Sequence, residues 1–515
     1  AAASPLLRRV PTRANRIKSE TMKRSSGILM HITSLPSPYG IGSMGKSAFD
    51  FIEFLKKAGQ TYWQILPLGP TGYGDSPYQS FSTFAGNPYY IDLEQLIEKG
   101  WLKKESCDKA DTGDQEAYVD YEKIYRTRFQ LLREAFENSQ IEKDPEFAEF
   151  AEKNKDWLLD YALYMAVKDE HKGKSWAEWE DDIRLRQKKA MDQYTKRLKD
   201  EILFYEFQQY LFAQQWKQLK AYAKEKGIQI IGDIPIYVAF DSADTWAGPE
   251  LFQLDEKGMP TGVAGCPPDA FSATGQLWGN PLYRWDYHRQ TGYEWWLRRI
   301  SYCFELYDVV RIDHFRGFDE YYSIPYGDRT AEFGKWEPGP GYELFKVMKE
   351  KLGNKPVIAE DLGYLTPSVR KLVKKTGYPG MKILQFAFDE SEKSDYLPYH
   401  YTTNSVVYTG THDNDTTVGW FASLSRHDKG FLKKYLHIKN GKTVHLDLIR
   451  AALGSVSDTA VIPMQDYLGL GSEARINMPS TLGDNWKWRM KKGQISGELA
   501  KQVCELSRLY GRTGE

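Results

Sequence analysis

Asp308-Val309-Val310-Arg311-Ile312-Asp313-His314-Phe315-Arg316-Gly317-Phe318 opens as a buried strand and ends in a charged, aromatic turn. Val309, Val310 and Ile312 supply the β-branched bulk of a two-sided strand. Side chains alternate along a strand, so Arg311 and Asp313 project to the same face, about 7 Å apart. A guanidinium held there keeps a neighbouring carboxylate ionised and oriented, as a covalent nucleophile requires. Taken alone, an Arg-x-Asp is a structural ion pair at a strand end. The catalytic reading rests on two further strands that end in the same way downstream.

Outward from that stretch, apolar runs alternate with helical patterns. Strands are expected at residues 27–32, 62–66, 228–233, 308–313, 356–360, 381–386, 405–409 and 460–463. Ala48, Phe51, Ile52, Leu55 and Ala58 recur at helical spacing, and Gly59 ends that helix. Other helices are expected through Phe204, Phe207, Leu211 and Leu219, over 294–306, near 342–351, and from Thr366-Pro367, with proline in the first turn. Eight strands separated by helices describe an α/β fold, the (β/α)8 TIM barrel. Two insertions interrupt it on the C-terminal rim: a mostly helical one at about 67–206 and a lid loop at about 241–290. Residues 1–21 carry five basic residues and one acid with no apolar periodicity. They are expected to be a leader outside the single catalytic barrel of 22–515, or the remnant of an organellar transit peptide.

The chain has 515 residues, with 69 basic and 70 acidic side chains, so no global field favours nucleic acid or an anionic membrane. No apolar run approaches transmembrane length. The four cysteines, Cys107, Cys266, Cys303 and Cys504, form no C-x-x-C pair, which suggests a reducing compartment. Aromatics are abundant: 15 Trp, 34 Tyr and 24 Phe. A large core uses such residues, and so does a long cleft whose flat rings stack on sugars.

Barrel active sites sit at the C-terminal ends of the strands. Those ends carry Asp233 after strand three, Asp313 after four, Glu360 after five and His412-Asp413 after seven. Four acids at one mouth repel one another unless cations or substrate hydroxyls compensate them. Metal ligation is one use for such acids, but it wants a His-x-His on the first strand, whereas only His31, His314 and His412 are well placed. No metal and no organic cofactor is expected. The other use is glycosidic bond chemistry, in which one carboxylate attacks the anomeric carbon and a carboxylic acid protonates the leaving oxygen.

The 4-5-7 placement resembles the α-amylase clan, whose nucleophile, acid/base and transition-state stabiliser follow strands four, five and seven. The flanking motifs resemble one family of it, the 4-α-glucanotransferases (amylomaltases, disproportionating enzymes) of glycoside hydrolase family 77. The resemblance runs from about Arg24 to about Arg489. Its most specific pieces are Gly74-Asp75-Ser76-Pro77-Tyr78-Gln79, the run from Gly265-Cys266-Pro267-Pro268-Asp269 to Gly275-Gln276-Leu277-Trp278-Gly279, and Gly410-Thr411-His412-Asp413-Asn414.

The resemblance implies Asp313 as nucleophile, Glu360 as general acid/base and Asp413 as the residue gripping the distorted sugar. Asp361 competes with Glu360 on periodicity alone; the family pattern selects Glu360. Arg311 and His412 resemble orienting residues of the attacked glucose's subsite, and Tyr78 the aromatic platform beneath it. Asp269, Ser272, Gln276 and Trp278 resemble the acceptor-side lid. Asp233, His314, Phe386 and Asn477 complete the expected substrate contacts, and Tyr73 and Tyr121 are candidates for a second glucan groove. For each Tyr or Phe, burial in the core is the competing fate. Where hydrolytic relatives in the clan carry an Asn-His pair after the strand-three aspartate, this chain reads Asp233-Ile234-Pro235-Ile236-Tyr237. That matches the transferases and argues against a calcium-dependent amylase. The expected activity is retaining transfer of α-1,4-glucan segments onto glucose or maltooligosaccharide acceptors. The rivals are a retaining α-glucan hydrolase and a non-catalytic glucan-binding protein. The expected setting is the cytoplasm, or the plastid stroma if the leader is a transit remnant, with the protein as monomer or homodimer.

Overall fold

Short strands that are apolar on both faces must be covered on both, and in a computed structural model these close on themselves and are wrapped by helices. The structure describes residues 23–268, 272–363, 365–388 and 394–514. The expected leader lies outside them. Ser25–Leu29, Tyr62–Gln64, Gln229–Pro235, Val309–Asp313, Val357–Ala359, Gly380–Ile383, Ser405–Tyr408 and Thr459–Pro463 form a closed parallel barrel in sequence order. Strand one closes the ring against strand eight, with Ile28 beside Ile462. Strands three and four set Asp233 beside Arg311. Strands four and five set Ile312 beside Ala359, so the next residues, Asp313 and Glu360, emerge together at the rim. This is a (β/α)8 TIM barrel.

The helix Lys46–Lys57 buries Ala48, Phe51, Ile52, Phe54 and Leu55, and the last helix, Gly497–Leu509, packs beside it. Between strands two and three runs a series of helices ending in Lys199–Glu225, a 27-residue helix. That helix begins five residues before the stretch expected from Phe204, because it packs on neighbouring helices of the insertion. The expected lid region is more ordered than a loop. It contributes Gly262–Cys266 and Gln276–Pro281 to a four-stranded antiparallel rim sheet, completed by Glu320–Pro325 and Lys335–Pro338. Val263, Tyr322, Ile324 and Ala331 form a small separate core there.

Two expectations are corrected between strands six and seven. Strand six ends at Ile383, and Leu384–Ala387 turns into a 3-10 helix. The reason is local: Gln385 turns inward, and its amide donates to the Asp415 carbonyl at 2.9 Å. Phe386 therefore sits on a turn and not on a strand. The regular alternation of strand and helix also fails there, since only Leu384–Ala387 and Pro398–His400, both 3-10 turns, join the two strands among the described residues.

Candidate active site

Arg311 is the centre of the barrel mouth. Its side chain is 4% exposed and faces three elements. Nη1 donates to both Asp233 oxygens at 2.8 and 2.6 Å, Nη2 donates to Asp313 Oδ1 at 3.0 Å, and Nε–H faces the Met381 sulfur at 3.3 Å. Tyr78 Oη donates to Asp233 Oδ2 at 2.6 Å. Asp233 is wholly buried and saturated by these donors, so it serves as the counter-charge of Arg311. Asp313 is held through one oxygen and remains 31% exposed. A fork-shaped guanidinium can bind two acids in fixed directions; an ammonium could not.

Glu360 is held differently. Its Oε2 accepts the His314 backbone N–H at 2.7 Å and its Oε1 that of Leu362 at 2.8 Å. His314 adopts a left-handed conformation, φ 52° and ψ 49°, which swings its N–H toward the neighbouring strand end. Burial, and then the charge of Asp313, raise Glu360 to about 7 against the opposing pull of Arg311 and the two amides. Burial also raises Asp313, to about 6, and there Arg311 is the leading opposing influence. The two acids titrate as a pair, and the one lacking a direct guanidinium bond keeps its proton longer. Asp361 points elsewhere: its Oδ1 accepts the Met381 backbone N–H at 2.8 Å, pinning it to strand six.

After strand seven, the His412 ring stacks on Tyr78 at 5.0 Å and 17°. Asp413 Oδ1 accepts from Asn477 Nδ2 at 2.7 Å and lies 3.4 Å from His412 Nε2. The Asp413 carbonyl accepts from Arg475 Nη2 at 2.7 Å. Arg475 also holds the Asn477 carbonyl, at 2.8 Å. Arg475 was not anticipated; an arginine two residues before an asparagine carries no signal until the loop folds back on strand seven. Trp486, tilted against Tyr78 at 5.9 Å and His412 at 6.0 Å, was missed for the same reason.

On the opposite side of the mouth, Trp278 meets the His314 ring edge-on at 4.8 Å and 88°. Its indole N–H donates to Gln276 Oε1 at 3.1 Å, and Tyr237 closes the cluster at 6.4 Å from Trp278 and 6.2 Å from His314. Burial lowers His314 to about 3, so its ring is neutral. Ser272 Oγ donates to the Gly275 carbonyl at 2.7 Å, which tightens the turn before the strand. Asp269 lies outside the described residues. Phe386 is partly exposed and rests edge-on against Tyr396 at 5.3 Å. Tyr73 is fully exposed. Tyr121 corrects an expectation: it is buried, and its hydroxyl donates to the Trp486 carbonyl at 2.7 Å. It braces the loop behind Tyr78 and offers no ring face to a ligand.

Among the described residues no three His, Cys, Asp or Glu side chains gather as a metal site, and no helix is long and apolar enough to cross a membrane.

A family model described as 4-alpha-glucanotransferase matches residues 30–495. A 4-alpha-glucanotransferase of Clostridium butyricum is 50% identical over 94% of this chain and 100% of its own length. The chloroplastic/amyloplastic 4-alpha-glucanotransferase of Solanum tuberosum is 41% identical over 95% of this chain and 87% of its own. The solved structure of amylomaltase from Streptococcus agalactiae, in complex with acarbose, superposes with a TM-score of 0.93 at 42% identity, covering 96% of this chain and 100% of that one. The chain belongs to the 4-alpha-glucanotransferases of glycoside hydrolase family 77, enzymes that transfer glucan segments in starch and maltodextrin metabolism.

Proposed function

We propose that the two acids at the ends of strands four and five divide the chemistry as their surroundings dictate. Glu360, the more readily protonated, donates its proton to the glycosidic oxygen of a bound α-1,4-glucan. Asp313, ionised and aimed by Arg311, attacks C1, so the C1–O bond breaks as the Asp313–C1 ester forms. The reducing-side fragment leaves with the proton. A sugar hydroxyl of the acceptor then enters, Glu360 removes its proton, and its oxygen displaces Asp313. Two inversions return the α-configuration.

Asp413 is the residue that grips the distorted sugar's hydroxyls. Asn477 and Arg475 keep it from swinging away, since each of its polar ends is tied to a different donor. Tyr78 and His412 form a flat floor beneath that sugar. Trp278, Gln276 and Ser272 cover the acceptor side, where an ordered sugar outcompetes water because positioning supplies effective molarities on the order of 10⁵ M or more.

The observation that carries this reading is the contrast between the two acids, one bound by a guanidinium and one by two backbone amides. Maltotriose incubated with the protein and resolved by thin-layer chromatography tests it. A ladder of longer products is expected, together with its disappearance in Asp313→Asn. Shortening alone means a hydrolase, and no change means a glucan-binding protein. A cytoplasmic or plastid-stroma setting and a monomeric or homodimeric state accompany this reading. Relatives of both bacterial and plastid origin support the first, and size-exclusion chromatography decides the second.

A further inference from the structure

Among the described residues only 3-10 turns join strands six and seven. A groove of about 960 Å3 lies beside the second of these turns, bounded by Leu397 and Tyr399 on one side and by the helix Arg426–Leu436 on the other. Residues four apart share a helix face, so this helix turns two rows toward the groove. Arg426, Gly430 and Lys434 form one; His427, Phe431 and Tyr435 form the other.

Three features mark it as more than a gap. A glycine in a helix interior is destabilising relative to alanine, yet a Cβ at Gly430 would meet nothing within 4 Å. The protein does not need the space, and what the glycine leaves is a saddle between two cationic side chains. Second, two large rings face solvent: Tyr399 is 63% and Tyr435 36% exposed. Tyr435 is backed by Phe388 at 5.5 Å and Phe431 at 6.0 Å, and Tyr399 lies beside the exposed ring of His400 at 4.3 Å. Third, Arg426 and Lys434 make no ion pair among the described residues, while His427 lies 3.6 Å from Asp428. Exposed rings alternating with hydrogen-bond donors match a sugar chain, whose C–H faces stack on aromatics and whose hydroxyls accept from Arg, Lys and His.

We infer that this groove is a second binding site, outside the catalytic cleft, for a segment of an α-1,4-glucan chain. The inference rests on the glucan-transfer reading of the cleft. The groove is joined to the cleft by a short link: Phe386 at the barrel mouth is two residues from Phe388, which packs beneath Tyr435. A long donor or acceptor held in the groove is retained near the mouth at raised effective concentration, while a trisaccharide is too short to use both sites. An anionic sugar would satisfy the cations equally. The paired rings and the neutral substrate of the cleft favour the glucan.

The test pairs a short and a long substrate on wild type, the double variant Tyr399→Ala/Tyr435→Ala, and Gly430→Phe, which fills the saddle from a solvent-facing position. With soluble amylopectin, KM should rise about tenfold in both variants, as loss of two stacking rings implies. Migration through an amylopectin-containing gel should be less retarded by a similar factor. Disproportionation of maltotriose should stay within about twofold of wild type. Equal KM and equal retardation in all three proteins overturns the site. So does protection of Tyr399 and Tyr435 from chemical iodination by glucose 1-phosphate but not by maltoheptaose, which would assign the groove to anionic sugars. If wild type itself fails to disproportionate maltotriose, the reading of the cleft falls instead, and the groove is then judged by gel retardation alone.

Discussion

The two sides of the barrel mouth are built on opposite plans. On the side proposed to lie beneath the attacked sugar, Arg311, Asp233 and His412 are buried and Tyr78 is half-buried; the four contact one another, and three of them project from barrel strand ends. Across the mouth, the stretch from Ser272 to Trp278 is a turn leading into a strand of the rim sheet, which has its own four-residue core, and the side-chain hydrogen bonds Ser272–Gly275 and Trp278–Gln276 lie within that stretch. In the proposed reaction the floor must hold a nucleophile in one direction while charge moves, so each group is over-determined and reorganises little during reaction. In the proposed reaction the lid must admit one glucan fragment and release another, so it stands on a separate sheet and not on the barrel strands.

The strongest way to break that comparison is to remove the floor's working group. Asp313→Asn keeps the shape but loses the nucleophile, and maltotriose turnover should fall by roughly 10⁴-fold or more. Circular dichroism and thermal melting should show the fold intact. Turnover within tenfold of wild type removes Asp313 from the role. Next is Asp233→Ala, which never touches the transferred atoms in this scheme. It leaves Arg311 buried with one partner instead of two, and loss of one partner of a buried pair costs on the order of 3–5 kcal/mol. Urea denaturation should register that loss along with a large drop in kcat. An unchanged midpoint would mean that the floor is less interlocked than its geometry implies.

The lid should respond in kind and not in degree. Trp278→Ala is expected to lower transfer more than hydrolysis, so the fraction of glucan lost to water rises several-fold. Reducing ends and transfer products measured in the same reaction give that fraction, and a constant ratio sinks the acceptor-lid role. The pH response sharpens the contrast further. The active form carries one proton on the Asp313–Glu360 pair, so kcat/KM should be bell-shaped with limbs near pH 6 and 7. Both acids are raised above their unfolded values, so the folded state holds protons that the unfolded chain releases. Their contribution to stability is full below about pH 4 and is lost as pH rises through 6 and 7. Urea midpoints at pH 5 and pH 8 should therefore differ less in Glu360→Ala than in wild type. The smallest effect expected is Tyr121→Phe. It leaves the Trp486 carbonyl short of one donor, costs about 1 kcal/mol of stability, and leaves maltoheptaose binding at exposed sites unchanged.

What the amino-acid sequence determined by itself was the barrel and its chemistry-bearing strand ends. β-Branched runs such as Val309-Val310-x-Ile312 must be buried on both faces, and eight of them separated by helical spacing close in only a few ways. Acids at the ends of such runs inherit their position from the strand, which is why Asp233, Asp313 and Glu360 were legible, while Asp413, five residues past strand seven, was carried by the motif around it. Only the tertiary structure decided the groups that act across long chain separations. Arg475 reaches Asp413 across 62 residues, and Met381 faces Arg311 across 70. Tyr121 is a brace rather than a sugar platform because Trp486, 365 residues away, supplies its acceptor. Between Glu360 and Asp361, periodicity alone was silent; the family resemblance selected Glu360, and the neighbouring strand shows Asp361 pinned to the Met381 backbone N–H. The rim sheet, and a connection between strands six and seven that holds only 3-10 turns among the described residues, were invisible for a related reason. A strand or a helix is readable from local periodicity, but whether a connection pairs with a distant hairpin depends on what the rest of the chain brings to its side.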